Sequence, residues 1–270
     1  METQERNATQ MRKKWILVGS SVAVIAVVAV VLILVLLGGK QASSDKSVSS
    51  EIKKSKKASV GDCVMFGTYE QDNVTSNGAE AIEWIVLDKK DGKALLLSRY
   101  ALDCKPYHEE WEAITWEDCT LRSWLNDTFY TTAFSKKERG YIATTTVIND
   151  DNPEYGTEGG NNTKDKVFLL SIDEVTSYSY FSSNWDEWDV ARRCQVTEYA
   201  KVQGGWAYSE EEYGWYGTTE YDGNGWWWLR SPGNYGGNAA LVYFDGRVDR
   251  LGNRVVGNAP VVRPALWVEY

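Results

Sequence analysis

The sequence predicts an α+β domain that ends in a C-terminal β-ribbon and is preceded by one transmembrane helix. Three observations carry this prediction. An uncharged apolar run lies near the N-terminus, and short alternating strands interleave with capped helices from residue 60 onward. The last stretch, Trp226 to Leu266, alternates small apolar pieces with Asn, Asp, Arg, Tyr and Gly.

Ile16 to Leu37 is a run of 22 residues without a charge, long enough as a helix to cross the hydrocarbon core. A cleaved signal peptide is the alternative, but its apolar region normally runs about 7 to 15 residues, and Gly38 to Ser43 offers no good small-x-small site. The expected organisation is a short cytoplasmic tail over 1–14, a membrane helix over 15–37, a flexible stalk over 38–59 and a folded domain over 60–270. Arg12, Lys13 and Lys14 abut the span, which orients the N-terminus inside and the domain outside the cell. Lys40 to Ser59 is Ser- and Lys-rich without apolar periodicity, which reads as solvated chain. Residues 1–57 hold 10 Lys and Arg against 4 Asp and Glu, whereas residues 58–270 hold 19 against 34. A domain that acidic is a poor phosphate ligand, so nucleic acid is not the expected partner.

Within the domain, Cys63 to Tyr69 and Ile82 to Leu87 alternate as strands, and Asp91-Gly92 turns the chain into the apolar strand Ala94 to Ser98. Thr115 to Asp118 has the form of a capping box, followed by Leu121, Trp124, Leu125 and Phe129 at helical spacing. Ser135 to Glu138 and Ser171 to Glu174 have the same form, the second after an apolar strand, Val167 to Leu170. Asn149 to Lys166 reads as a polar loop, Trp188 to Val202 as a helix, and Gly204 to Gly225 as an aromatic and acidic loop. In the ribbon, Trp226 to Arg230, Ala239 to Phe244, Arg247 to Leu251 and Val261 to Val268 read as strands, with turns at Asp245-Gly246 and Gly252-Asn253.

WWWLRSPG, then ALVYFDGRV, then VVRPAL resemble the end of the C-type-lectin-like (formylglycine-generating-enzyme-like) domains of bacterial and phage proteins. The match is most similar to a widespread bacterial domain of unknown function and to the variable proteins of diversity-generating retroelements. FGTYEQ, IEWIVLD, ALLLSRYALD, TWEDCTLRSWLN and FLLSIDE extend the resemblance over nearly all of residues 60–270. In the retroelement proteins a template is copied with errors at adenines, so Asn codons become codons that cannot encode Met, Trp, Lys, Glu or Gln. Ser231 to Arg263 contains none of these five residue types, where composition alone would place about seven. An ordinary lectin-like ribbon rich in Gly and Asn would also be poor in Glu and Lys, so two readings stand.

The resemblance implies a binding surface on the variable-region candidate, residues 231–263. Tyr235 and Tyr243 are its rigid amphipathic anchors, Arg247, Arg250 and Arg254 its directed donors, and Asn234, Asn238, Asn253 and Asn258 its adaptable partners, with Asp249 among them. Trp226, Trp228, Leu229, Arg230 and Arg263, with Val242, Val248 and Val262, form the scaffold beneath. The expected ligand is an extracellular protein or glycan. The alternative is a cell-envelope structural or assembly protein whose tryptophans only pack.

Catalytic signals are weak. The one histidine, His108, excludes a two-histidine zinc site and reads as a surface loop residue. Cys63, Cys104, Cys119 and Cys194 form no CxxC; they read either as two disulfides or as small buried residues. The sulfatase-modifying relatives use cysteines in the C-terminal part of the fold, and here none follows Cys194, so no enzyme activity is expected. No cofactor is expected either: the Glu-Pro-Asn sugar motif is absent, and Asn149 to Asn152 lacks the spacing of a calcium loop. The runs Glu109-Glu110-Glu112, Asp186-Glu187-Asp189 and Glu210 to Glu212 read as solvated faces rather than a glycosidase pair. Trp185, Trp188, Trp206 and Trp215 read as sugar-stacking rings or as core packing, with packing favoured.

Overall fold

The computed structural model describes residues 50–270. The expected tail, membrane span and most of the stalk lie outside the described residues; among those described, no helix is long and apolar enough to cross a membrane.

Two sheets organise the domain. Strands β1 (Cys63–Tyr69), β2 (Glu80–Lys90) and β3 (Lys93–Ser98) form an antiparallel meander, and the last strand, β11 (Ala265–Glu269), pairs with β3. Asp91 takes a positive φ of 51° in the tight turn between β2 and β3, a conformation that Asp tolerates. The second sheet runs in the order β4 (Asp103–Cys104), β10 (Val261–Val262), β7 (Trp227–Pro232), β8 (Asn238–Val242), β9 (Val248–Arg254). A small ribbon of β5 (Thr145–Val147) and β6 (Thr163–Asp165) stands apart.

The C-terminal motif joins the sheets. Val261 and Val262 pair in the second sheet, and three residues later Ala265 begins pairing in the first, so the predicted single strand Val261 to Val268 is two short strands. Pro264 cannot donate to a ladder and marks the crossing. Arg263 holds it: buried, its Nε donates to Ser98 O at 3.0 Å and its Nη1 to Arg192 O at 3.1 Å, while the guanidinium lies 4.9 Å from the Trp227 ring centroid. Trp227 and Trp228 are both buried although adjacent, because β7 lies between β10 and β8 and is covered on both faces. Each indole N–H has a buried partner, Arg192 O for Trp227 and Lys105 O for Trp228, both at 3.0 Å.

Several local expectations are corrected. Residues 50–57, assigned to the stalk, are helical (α1), with Ile52 and Ser55 buried; Lys89 Nζ donates to Lys56 O and Ala58 O at 2.7 Å, satisfying carbonyls at the helix end. Thr115 to Asp118 is a turn, and helix α2 (Thr120–Trp124) is capped instead by Cys119, whose Sγ accepts from Arg122 N at 3.4 Å. The helix continues through a π-helical turn, Leu125–Phe129, into α3 (Tyr130–Ala133), which keeps Leu121, Leu125 and Phe129 on the buried side. Ser135 caps α4 (Lys136–Arg139) with a full capping box. Ser171 and Glu174 exchange the same reciprocal bonds at α5 (Glu174–Ser177), but the run before it is extended chain with a single bridge, Phe168 to Ala265.

The predicted helix Trp188 to Val202 is broken into a 3₁₀ turn, Val190–Arg192, and α6 (Glu198–Val202). Between them Gln195 and Val196 bridge to Asn224 and Ala101, and Thr197 starts α6 by accepting from Ala200 N. Gly252-Asn253 is not a turn; both residues continue β9. Gly252, at φ +73°, forms a bulge so close to β8 that a Cβ would sit 2.2 Å from Ala239 O.

Candidate ligand-binding surface

Strand β9 is the outer strand of the second sheet, and the ribbon residues are spread along it. Directly opposed residues in an antiparallel pair share a face. Asp249 and Asn253 therefore stand on the face of Leu241 and Ala239, and Val248 and Arg254 on the face of Val242 and Asn238. The predicted ligand residues thus form three clusters along an edge instead of one flat patch.

At the hairpin tip, the Tyr243 hydroxyl donates to Asp249 Oδ2 at 2.9 Å, and its ring packs edge-on against Trp226 at 5.9 Å. Burial, and next the Asp249 carboxylate, push the Tyr243 phenol well above its usual range, so it stays protonated. Arg247 pairs with Asp245 at 2.9 Å and lies 5.9 Å from the Trp188 ring centroid. In the middle, Arg250 lies 4.5 Å from the Trp185 centroid, with Glu154 at 3.9 Å. At the far end, Arg254 lies 4.9 Å from the Trp111 centroid, and Tyr235 and Trp111 both crowd Gly237. Asn238 Nδ2 donates to Asn234 Oδ1 at 3.1 Å, and Asn253 Oδ1 accepts from Arg254 N at 2.8 Å. Asn258 lies apart, its carbonyl accepting from the Cys104 thiol at 2.9 Å. Asp249 spends its other oxygen on Leu251 N at 3.0 Å.

Three arginines, each set over a tryptophan, therefore follow one strand edge. The tryptophans come from outside the ribbon and are 63% (Trp111), 37% (Trp185) and 50% (Trp188) exposed; Tyr155 and Tyr235 are exposed as well. Each exposed cation–π pair contributes about 0.5–1 kcal/mol, enough to pre-set the side chains but too little to explain exposing so many rings. Trp111 and Tyr155 were not foreseen as site residues. Their signal was available: Trp111 sits in Glu109-Glu110-Trp111-Glu112, and a ring embedded in carboxylates must stay near water.

The loop 204–225 supports the hairpin. Phe244 stacks on Tyr208 at 4.7 Å, Trp206 packs on Trp226 at 4.6 Å, and helix α7 (Glu210–Tyr213) brings Tyr213 and Trp215 over them. Trp206 thus belongs to a ring cluster, while Trp215 remains largely exposed. Asn152 is buried and ties the polar loop to the ribbon, its amide donating to Pro232 O and Arg250 O at 2.9 Å. Trp228, Leu229 and Arg230 are buried and Trp226 is half-buried. Arg230 forms an ion pair with Glu174 and donates to Leu169 O at 2.7 Å and Ile148 O at 2.9 Å.

This chain belongs to a family described as a domain of unknown function, DUF6273. The family model matches residues 91–270, from the β2–β3 turn to the end of the chain, so it takes in β3, β11, the second sheet and the whole ribbon but not β1 and β2. No curated protein and no solved structure is significantly similar to the chain. In this DUF6273 domain His108, Asp189 and Glu210 bond within the fold. His108 is a correction to the expected surface residue: it is only 8% exposed, its Nδ1 accepts from Thr120 N at 3.3 Å, and its Nε2 lies 3.1 Å from a Glu112 carboxylate oxygen. The four cysteines form no disulfide; Cys104, Cys119 and Cys194 are buried and Cys63 is exposed. Glu210 accepts from Tyr208 and from Gly217 N, and Asp189 accepts from Ser182 N and Ala191 N, so these carboxylates brace loops. Among the described residues Glu70, Asp72 and Glu80 bring oxygens within 4.8 Å of one another, at an exposed loop where backbone N–H groups already donate to each.

Proposed function

We propose that the chain is a membrane-anchored, surface-displayed binding protein of lectin-like fold, whose C-terminal ribbon recognises an extracellular protein or glycan. The observation that carries this reading is the row of Arg247, Arg250 and Arg254 over Trp188, Trp185 and Trp111. Paired guanidinium and indole groups hold each other in one orientation, and such preorganised Arg and Trp are the residues that dominate recognition. The lectin-like reading draws support from the first and last strands sharing one sheet while loops and ribbon are built from the chain between them. The membrane anchor rests on Ile16 to Leu37, and the outside location on the basic residues before it. The binding reading is favoured over an enzyme because His108 and the Asp189 and Glu210 carboxylates are engaged in holding the fold.

Diversification of residues 231–263 by a retroelement rests on the five missing residue types. It would place variation on Tyr235, Arg247, Arg250 and Arg254 at the rim, while the tryptophans that meet them, lying outside this window, stay constant. Sequencing the flanking DNA decides it: a near-copy of these codons differing only at adenines, beside a reverse transcriptase gene, is expected. Its absence leaves an invariant lectin-like ribbon.

Cells displaying the full chain test the surface itself, by flow cytometry with labelled host-surface proteins and glycans. Trp185→Ala with Arg250→Ala should abolish binding at unchanged display and unchanged thermal midpoint. Binding that survives both substitutions favours the structural alternative.

A further inference from the structure

A second site shares no residue with the three Arg–Trp pairs: a cleft of about 500 Å³ between the β2–β3 turn, β5, α5 and β11. It is lined by Trp267 and the edge of buried Phe168, by Thr144, Thr145, Thr146, Tyr178 and Glu174, and by Lys90 and Lys93 at the turn. Most polar residues of this protein bond to one another or to backbone. Here the three threonine hydroxyls and the Tyr178 phenol have no hydrogen-bond partner among the described residues, although Tyr178 is half-buried. The Glu174 carboxylate uses one oxygen for Arg230 and Ser171 N, and its other faces no donor. Lys93 reaches Glu269 only at 3.9 Å, and Lys90 has no ion-pair partner among the described residues.

We infer that this cleft binds a saccharide bearing a carboxylate, with the sugar face on Trp267, its hydroxyls on the threonine row and Tyr178, and its acid group at Lys90 and Lys93. Aromatic lining and hydroxyl row together match a sugar ring, which has one apolar face and a polar rim. The charge favours the acidic sugar. Arg230 neutralises Glu174, so among the residues that line the cleft two ammonium groups stand against Asp91, with Glu269 3.9 Å from one of them, in a domain that is otherwise strongly acidic. None of Arg247, Arg250 and Arg254, and none of Trp111, Trp185 and Trp188 that they meet, lines the cleft.

The test is calorimetric titration of the full chain in detergent with an oligogalacturonate and, separately, with neutral maltotriose. The oligogalacturonate should bind and maltotriose should bind at least about tenfold more weakly. Lys90→Gln with Lys93→Gln should remove that preference, because each lost charge-assisted contact lowers affinity about tenfold. Thr144→Val with Thr146→Val changes exposed hydroxyls without changing shape and should weaken both sugars. Arg250→Ala should leave the titration unchanged. No heat with either sugar, equal binding of the two, or wild-type affinity in the threonine variant would each overturn the assignment.

Discussion

At the scale of single residues, burial decides which groups titrate. Burial pushes the Cys104 thiol up to about 11 and the Cys119 thiol up to about 12, from an ordinary 9.0. The same cause raises the phenols of Tyr69, Tyr107 and Tyr243. The folded chain holds these protons more tightly than the unfolded chain does. Their contribution is therefore complete below pH 9 and is lost as pH rises through 11 and 12. The thermal midpoint should fall steadily above pH 9; a flat profile from pH 8 to 11 would contradict the burial of these groups. Side-chain chemistry was legible here only in kind. Cys119 could be read as a small buried residue, but its use as a helix cap depends on where the preceding turn releases the chain. His108 gave no sign of burial, because Pro106, Glu109 and Glu110 around it are all polar-loop signals.

At the scale of elements, local signals worked where the bond they imply is itself local. Ser135 and Ser171 cap as read, since both partners lie three residues away. The β1–β2–β3 meander was legible for the same reason, through alternation and the Asp91-Gly92 turn. Gly252 was misread because a positive φ serves a turn and a bulge equally, and the choice rests with β8. Gly252→Ala should cost about 2–3 kcal/mol, from the strained φ and the contact with Ala239 O, measured as a shift in denaturant midpoint. An unchanged midpoint would mean that the bulge is not rigid. Trp188 to Val202 failed as a helix because Gln195 and Val196 find partners 29 and 95 residues away, at Asn224 and Ala101.

At the scale of the whole molecule, the boundary of the folded unit matters. The folded unit begins at Ser50, ten residues earlier than composition suggested, because Ile52 is buried and helix α1 is met by Lys89 of β2 and by Tyr270 from the far end of the chain. A protein starting at Ser59 should be less stable than one starting at Ser50 by about 1.5–3 kcal/mol, the value of burying one such side chain. Equal thermal midpoints for the two would return residues 50–57 to the stalk.

By itself the sequence determined the mixed helix and sheet character, the β1–β2–β3 meander, the Ser135 cap, and a ribbon rich in Arg, Asn and Tyr along its last 40 residues. The tertiary structure alone decided which tryptophans stay outside and which arginine each one meets. Trp185 and Trp188 looked like core residues by type, yet they lie beside Arg250 and Arg247, some 60 residues on. The physical reason is that periodicity records what a segment can bury, whereas exposure depends on what distant chain arrives to cover it.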